Sequence, residues 1–360
     1  MIKFVINSNL LSKNVHKSNL YIFLRRLQFS TKSAAATTPM IEKYINGTNE
    51  TNLFKTPVTI KTKNDDLIKL DAIFQDTKPE GSSLGTVVNS HGAPGSHKDF
   101  KYINPKLEEN GVRIVGVNFP GCGYTKYDER LQNDNYERIQ FVQQIIDALN
   151  LNKKLVFIGH SRGSENSLKI AANNPEKSAG IISVNPIGIR RHRGAIPILF
   201  DILAFLWRIQ WLRWFSNWLM YQIYNKFARF KVNNGEVCGV AMNLMASLEY
   251  SDAIPYIEKF NQSNAKAILL YAGKDWLIEP SVSREFRSCF KDNIEIISKH
   301  RGDDSETTEN VVQELKNGRK CIGIFCQRDG HFLQKDRADL IAEAVLTILK
   351  SYPDNSRQSA

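Results

Sequence analysis

The chain has no run approaching ~18 uncharged apolar residues, so no membrane-spanning helix is expected. Cysteine is scarce: Cys122, Cys238, Cys289, Cys321 and Cys326 are the only five in 360 residues. An odd number without Cys-x-x-Cys spacing argues against a disulfide framework or a zinc site, and suits free thiols in a reducing compartment. Acids are missing from residues 1–41, which carry Lys3, Lys13, Lys17, Arg25, Arg26 and Lys32. Between positions 187 and 231 a single acid, Asp201, stands against eight basic residues. These two segments hold +6 and +7 of a net charge of +11, which leaves −2 for everything else. The positive balance therefore belongs to a tail and one insert, not to a recognisable binding module, and nucleic acid is not an expected partner.

Residues 1–41 also lack the continuous apolar stretch of roughly 7–15 residues that a secretory signal needs. They are basic, rich in Ser, Asn and Thr, and dotted with Leu and Phe, the composition of a mitochondrial transit peptide. The segment Arg25-Arg26-Leu27-Gln28-Phe29-Ser30 resembles a matrix-processing signal, with cleavage near Ser33–Ala36. A mitochondrial enzyme, in the matrix or at the inner-membrane face, is the expectation. A disordered basic tail on a cytoplasmic enzyme is the alternative.

What is present is a globular composition, 42% hydrophobic and 24% charged. From about residue 56, short apolar runs alternate with longer amphipathic stretches. Val58–Lys63 and Ile68–Phe74 read as a hairpin turning at Asn64-Asp65-Asp66. Thr86–Asn89, Val112–Asn118, Leu155–Ile158, Ala179–Val184, Ala267–Tyr271 and Cys321–Phe325 read as strands. Helices are expected over Phe100–Asn110, Asp128–Leu149, after the strand Leu155–Ile158 to about Asn174, and over Ala338–Lys350. Residues 292–320 read as a polar surface excursion, helical over Thr308–Leu315, and 351–360 as a disordered tail. This alternation predicts a mostly parallel sheet of about eight strands with helices on both faces.

Gly159-His160-Ser161-Arg162-Gly163 lies directly after the apolar run Leu155-Val156-Phe157-Ile158 and before a helical pattern. Gly-x-Ser-x-Gly alone is weak, but a strand–turn–helix setting makes it a nucleophile elbow. The serine then sits on a strained turn, and its neighbours must be small so that strand and helix can pass closely. A serine hydroxyl needs a base. Of seven histidines, His16 lies in the leader, His91 and His97 flank a turn, and His160 is the variable elbow residue, pointing away from the hydroxyl. His192 sits in a basic cluster and His300 in the polar excursion. His331, just after the last strand, remains as the base. An acid must orient it. Asp275, after strand Ala267–Tyr271, is the choice, with Glu279 as runner-up. An oxyanion hole would use the Arg162 backbone N–H and a donor from His91-Gly92-Ala93-Pro94-Gly95. Pro94 has no N–H, which leaves Ala93. One such donor typically contributes ~3 kcal/mol to transition-state stabilisation.

With these pieces, together with Asn-Phe-Pro-Gly-Cys-Gly at 118–123, the chain resembles the α/β-hydrolase superfamily over about residues 56–350, in an uncharacterised subgroup. The resemblance implies the chain order Ser161, Asp275, His331, an acyl-serine intermediate that water hydrolyses, and no metal or organic cofactor. Epoxide hydrolases and haloalkane dehalogenases of this fold use an aspartate nucleophile, so Ser161 argues against both. The resemblance also divides the chain into a core at 56–186 and 261–350 and a helical cap at 187–260, inserted after the sixth strand.

The cap's Trp, Phe and Leu content suggests a lipophilic acyl substrate. Trp207, Trp211, Trp214 and Trp218 fall on one face of a helix, which reads equally as the face packed on the core. Arg208, Arg213, Lys226, Arg229 and Lys231 alternate with aromatics, as on interfacial helices, so a peripheral membrane contact is a further expectation, with a solvated basic face as the alternative. Asp336, in His331-x4-Asp336, is expected to cap the final helix or face solvent. The leading function is hydrolysis of an ester of a lipophilic acyl group. An acyltransferase using the same serine, and a silent lipid-binding scaffold, are the alternatives.

Overall fold

The structure is a computed structural model that describes residues 40–353 apart from 46, 48, 228, 229, 231 and 233. The expected leader up to residue 39, the tail from 354, and Arg229 and Lys231 of the basic series lie outside the described residues. Among the described residues ten strands form one sheet. They are β1 (Glu42–Lys43), β2 (Leu53–Lys61), β3 (Leu67–Asp76), β4 (Thr86–Ser90), β5 (Arg113–Val117), β6 (Leu155–His160), β7 (Ser178–Val184), β8 (Lys266–Ala272), β9 (Asn293–Ser298) and β10 (Cys321–Cys326). Their order is β1-β2-β3-β5-β4-β6-β7-β8-β10-β9. β1, β2 and β3 run antiparallel, β3 joins β5 antiparallel, and every later pairing is parallel. The β2–β3 hairpin pairs Lys61 with Leu67, and Asp65 takes φ 68° in the turn.

The central strands are buried on both faces, which is why they read as continuous apolar runs rather than alternating ones. Val88, Val115 and Phe157 pack into one core layer with Phe141, Ile145 and Leu168. Their neighbours Val87, Ile114 and Val156 turn to the opposite layer with Ile341 and Val345, following the two-residue period of a strand. The helices among the described residues are α1 (Asn104–Glu109), α2 (Asn135–Ala148), α3 (Arg162–Asn173), α4 (Pro197–Arg208), α5 (Arg213–Gln222), α6 (Gly235–Ala246), α7 (Ile254–Gln262), α8 (Pro280–Ser288), α9 (Ser305–Lys316), α10 (Leu333–Asp336) and α11 (Ala338–Ser351). None of them is long and apolar enough to cross a membrane.

Several boundaries depart from the pattern. The helix expected over Phe100–Asn110 is a 3-10 turn at His97–Phe100 followed by α1, which begins at Asn104 and carries Pro105 in its first turn, a residue suited to that place and unable to sit inside a longer helix. α2 starts seven residues later than expected, because the Asp134 side chain caps it by accepting from the Glu137 N–H. The polar excursion contains a strand, β9, as well as α9. The tryptophan stripe is not on one helix: Ile209 takes extended backbone and ends α4, and the chain restarts through Gln210–Leu212 into α5. Trp207 is buried, while Trp211, Trp214 and Trp218 are exposed. Asp336 does not cap the final helix. The Asp303 carboxylate does so from another loop, accepting from the Asp339 and Leu340 N–H groups. α4 to α7 lie between β7 and β8, which is after the sixth of the eight expected strands.

Candidate active site

Parallel strands deliver their C-terminal ends to one edge of a sheet, and ligands of open α/β sheets bind outside that edge. Here β4, β6, β8 and β10 open into the loops that carry Ala93, Ser161, Asp275 and His331. Ser161 has φ 52° and ψ −120°, a strained conformation for a residue with a side chain. Its N–H donates to the Val184 carbonyl at 2.8 Å, and its own carbonyl accepts from the Ser164 N–H at 3.0 Å and hydroxyl at 2.6 Å. The flanking glycines are required by space. A Cβ on Gly159 would lie 2.5 Å from the Gly163 carbonyl oxygen, and one on Gly163 would lie 2.0 Å from the Ser90 carbonyl oxygen.

His331 Nδ1 lies 2.8 Å from Asp275 Oδ2. A carboxylate only accepts, so Nδ1 carries a proton, and in the neutral form of the ring Nε2 keeps the lone pair. The other carboxylate oxygen, Oδ1, accepts from the Leu277 and Ile278 N–H groups at 2.8 and 3.1 Å. Burial raises the Asp275 pKa, but the His331 hydrogen bond and charge and these two amides outweigh it and hold the carboxyl below its usual range. Glu279, the runner-up, is occupied elsewhere: it accepts from the Arg193 N–H and pairs with Arg190 and Arg193. Trp276, Phe332 and Phe230 surround the His331 ring at centroid distances of 5.6, 5.6 and 6.4 Å.

Ala93, Ser161 and His331 line one cavity of about 920 Å³. Asp275 stands behind His331, and the Arg162 side chain turns into the core, where it bonds Asn135 at 2.6 Å and pairs with Glu165. The backbone N–H groups of Ala93 and Arg162 donate to no other described group. The Ser161 hydroxyl makes no hydrogen bond to His331 here; such bonds are commonly loose until substrate is bound. The insert supplies an apolar wall that includes Phe200, Ile223, Phe230, Val232 and Met242. None of the four tryptophans of the stripe is part of that wall.

Two positioning groups escaped the sequence reading. His160 Nε2 donates to the His331 carbonyl at 2.9 Å, its ring centroid 4.9 Å from that of His331. Asn185, at φ 45° just past β7, donates to the same carbonyl at 2.8 Å and accepts from the Ala272 N–H at 3.0 Å. A polar residue ending a buried parallel strand is a signal that could have pointed to Asn185. His160 offered no such signal, because nothing in the chain shows what its ring meets.

An uncharacterized protein of Caenorhabditis elegans is 25% identical over 304 residues, which cover 81% of this chain and 85% of that protein. Among solved structures, an esterase from Exiguobacterium antarcticum superposes with a TM-score of 0.55 at 14% identity, covering 82% of this chain and 99% of its own. A haloalkane dehalogenase, DbeA from Bradyrhizobium elkani, superposes with 0.54 at 13% identity over 83% and 98%. At such identities the likeness is one of fold. Residues 50–350 match the family model described as an alpha/beta hydrolase of unknown function (DUF1057), and the chain belongs to that family.

Proposed function

We propose that this protein is a serine hydrolase that cleaves a carboxylic ester of a lipophilic acyl group. The observation that carries the reading is Ser161, on its strained turn, sharing a cavity with a histidine whose far nitrogen is anchored on a buried carboxylate. In this reading His331 Nε2 removes the Ser161 proton as Oγ attacks the ester carbonyl carbon. The new oxyanion accepts from the Ala93 and Arg162 N–H groups. The tetrahedral intermediate collapses, the bond to the alcohol oxygen breaks, and His331 returns the proton to the departing alcohol. Water then attacks the acyl-serine with His331 again as base, releasing the carboxylic acid and restoring Ser161. Asp275 stays ionised and fixes the imidazole's orientation. The apolar wall from the insert supports a lipophilic acyl chain.

A fluorophosphonate probe tests this. Wild type is expected to label and Ser161→Ala not to, with ester turnover in the variant down by ~10⁴-fold or more. Labelling that persists in Ser161→Ala overturns the reading, and well-folded wild type that never labels overturns it in favour of the scaffold alternative. We also propose that the acid-free residues 1–41 direct the enzyme to mitochondria.

A further inference from the structure

We propose that the outward side of α4 and α5 is a docking surface for an anionic phospholipid bilayer. α4 is apolar nearly all round, with Asp201 and Arg208 its only charges. Leu203, Ala204 and Trp207 are buried, and Phe200 lines the cavity. On the other side Ile198, Ile202 and Phe205, at helical spacing, are 76, 52 and 65% exposed. A helix apolar on both sides needs an apolar partner on both, as in a large core or a membrane. The chain continues into α5, which contacts α4 and adds a second stripe. Trp211 and Trp214 are each 74% exposed and Trp218 57%, with Phe215 stacked on Trp218 at 5.9 Å. Clustered exposure of this kind on a folded protein marks a contact surface.

Charge selects the occupant. Asp201 is the one acid against eight basic residues over 187–231. Glu129, Glu279 and Glu285, from elsewhere, answer Arg213, Arg190 and Arg193, while Arg191 and Lys226 have no acidic partner among the described residues. The segment stays positive, so a two-fold contact between copies would set like charges together. Anionic headgroups complement it, and indoles favour the boundary between headgroups and acyl chains. The arginines are not the anchor. Arg208 is committed to Asn243 and Gln132, and Arg213 lies over the Trp207 ring with its guanidinium on Glu129. The aromatic stripe carries the contact and the charge assists it. The surface lies on the outside of a helix whose inner side meets the cavity. If the esterase reading holds, an acyl substrate can reach that cavity from the lipid.

The chain's five tryptophans are Trp207, Trp211, Trp214, Trp218 and Trp276, so indole fluorescence of the full chain reports chiefly on this surface and not on residues 1–41. With vesicles of phosphatidylcholine and roughly one-third phosphatidylserine, the emission is expected to shift to the blue and to be quenched when the acyl chains are brominated. The triple variant Trp211→Ala, Trp214→Ala, Trp218→Ala, checked for cooperative unfolding, is expected to partition to vesicles about tenfold more weakly. Wild-type emission indifferent to brominated vesicles overturns the proposal without any variant, as does undiminished partitioning of the triple variant. Wild type that sediments as a dimer, ignores vesicles and is made monomeric by the same substitutions overturns it in favour of a second copy. None of these readouts depends on turnover, so failure here is distinct from failure of the esterase reading.

Discussion

His331 is held at its ring and at its backbone, Nδ1 by Asp275 and the main-chain carbonyl by the N–H donors of His160 and Asn185. The Gln334 amide N–H can only donate, and it meets His160 Nδ1 at 3.4 Å, so Nδ1 is the acceptor of a neutral ring whose proton sits on Nε2. Burial, with the neighbouring His331, pushes the His160 pKa down to about 3, and burial does the same to His91, which also falls to about 3. In the unfolded chain both return to an ordinary value of 6.5. Between pH 6.5 and 3 the unfolded chain therefore binds protons that the folded chain refuses, and stability falls as pH drops through that window. Urea midpoints measured from neutral pH down to about 4 are expected to decline, and His160→Gln, which keeps an N–H for the carbonyl, is expected to flatten the decline. Parallel declines in both proteins would show that His160 is not a source. The elbow sequence marks Ser161 as the candidate nucleophile because glycines are needed on either side of it. It is silent on His160, because a buried polar role is defined by partners 171 positions away.

At the scale of elements, the loop bearing His331 is tied to the start of the last helix by an ion pair with no exposure. Arg337 donates to Asp329 Oδ2 from Nε at 3.0 Å and Nη2 at 2.6 Å, and Asp329 Oδ1 accepts from the Gly302 N–H at 3.0 Å. Asp329→Asn leaves a guanidinium buried without its counter-charge, and such a loss typically costs ~3–5 kcal/mol. Chemical denaturation is the check, and a loss below ~1 kcal/mol would mean that the cation finds solvent or another partner. The pair was not legible beforehand, since Asp329 and Arg337 carry no periodic signal. Local pattern worked best where the chain is buried on both sides, as in β6 and β8. It failed at the sheet's two edges, where β1 is two residues long and β9 is only partly buried. It failed also at Ile209, where one expected helical stripe divides into an inward tryptophan and three outward ones.

For the molecule as a whole, the targeting proposed for residues 1–41 and the described part of the chain pose separate questions. Residues 1–41 fused to a fluorescent reporter are expected to carry it into mitochondria, and replacing Arg25 and Arg26 with Glu is expected to abolish import; a cytoplasmic reporter would favour the tail alternative. In the described part, the sequence by itself determined the class of fold, the place of the elbow and the order of its candidate partners. Those depend on local period, on glycine's lack of a side chain and on which residue types can move a proton, and a chain displays all three in order. Only the tertiary structure decided that Asp275 and not Glu279 meets His331, that two further donors fix that loop, and that the insert turns three of its four tryptophans outward. Such facts depend on distances between residues remote along the chain, and packing sets those distances while composition does not.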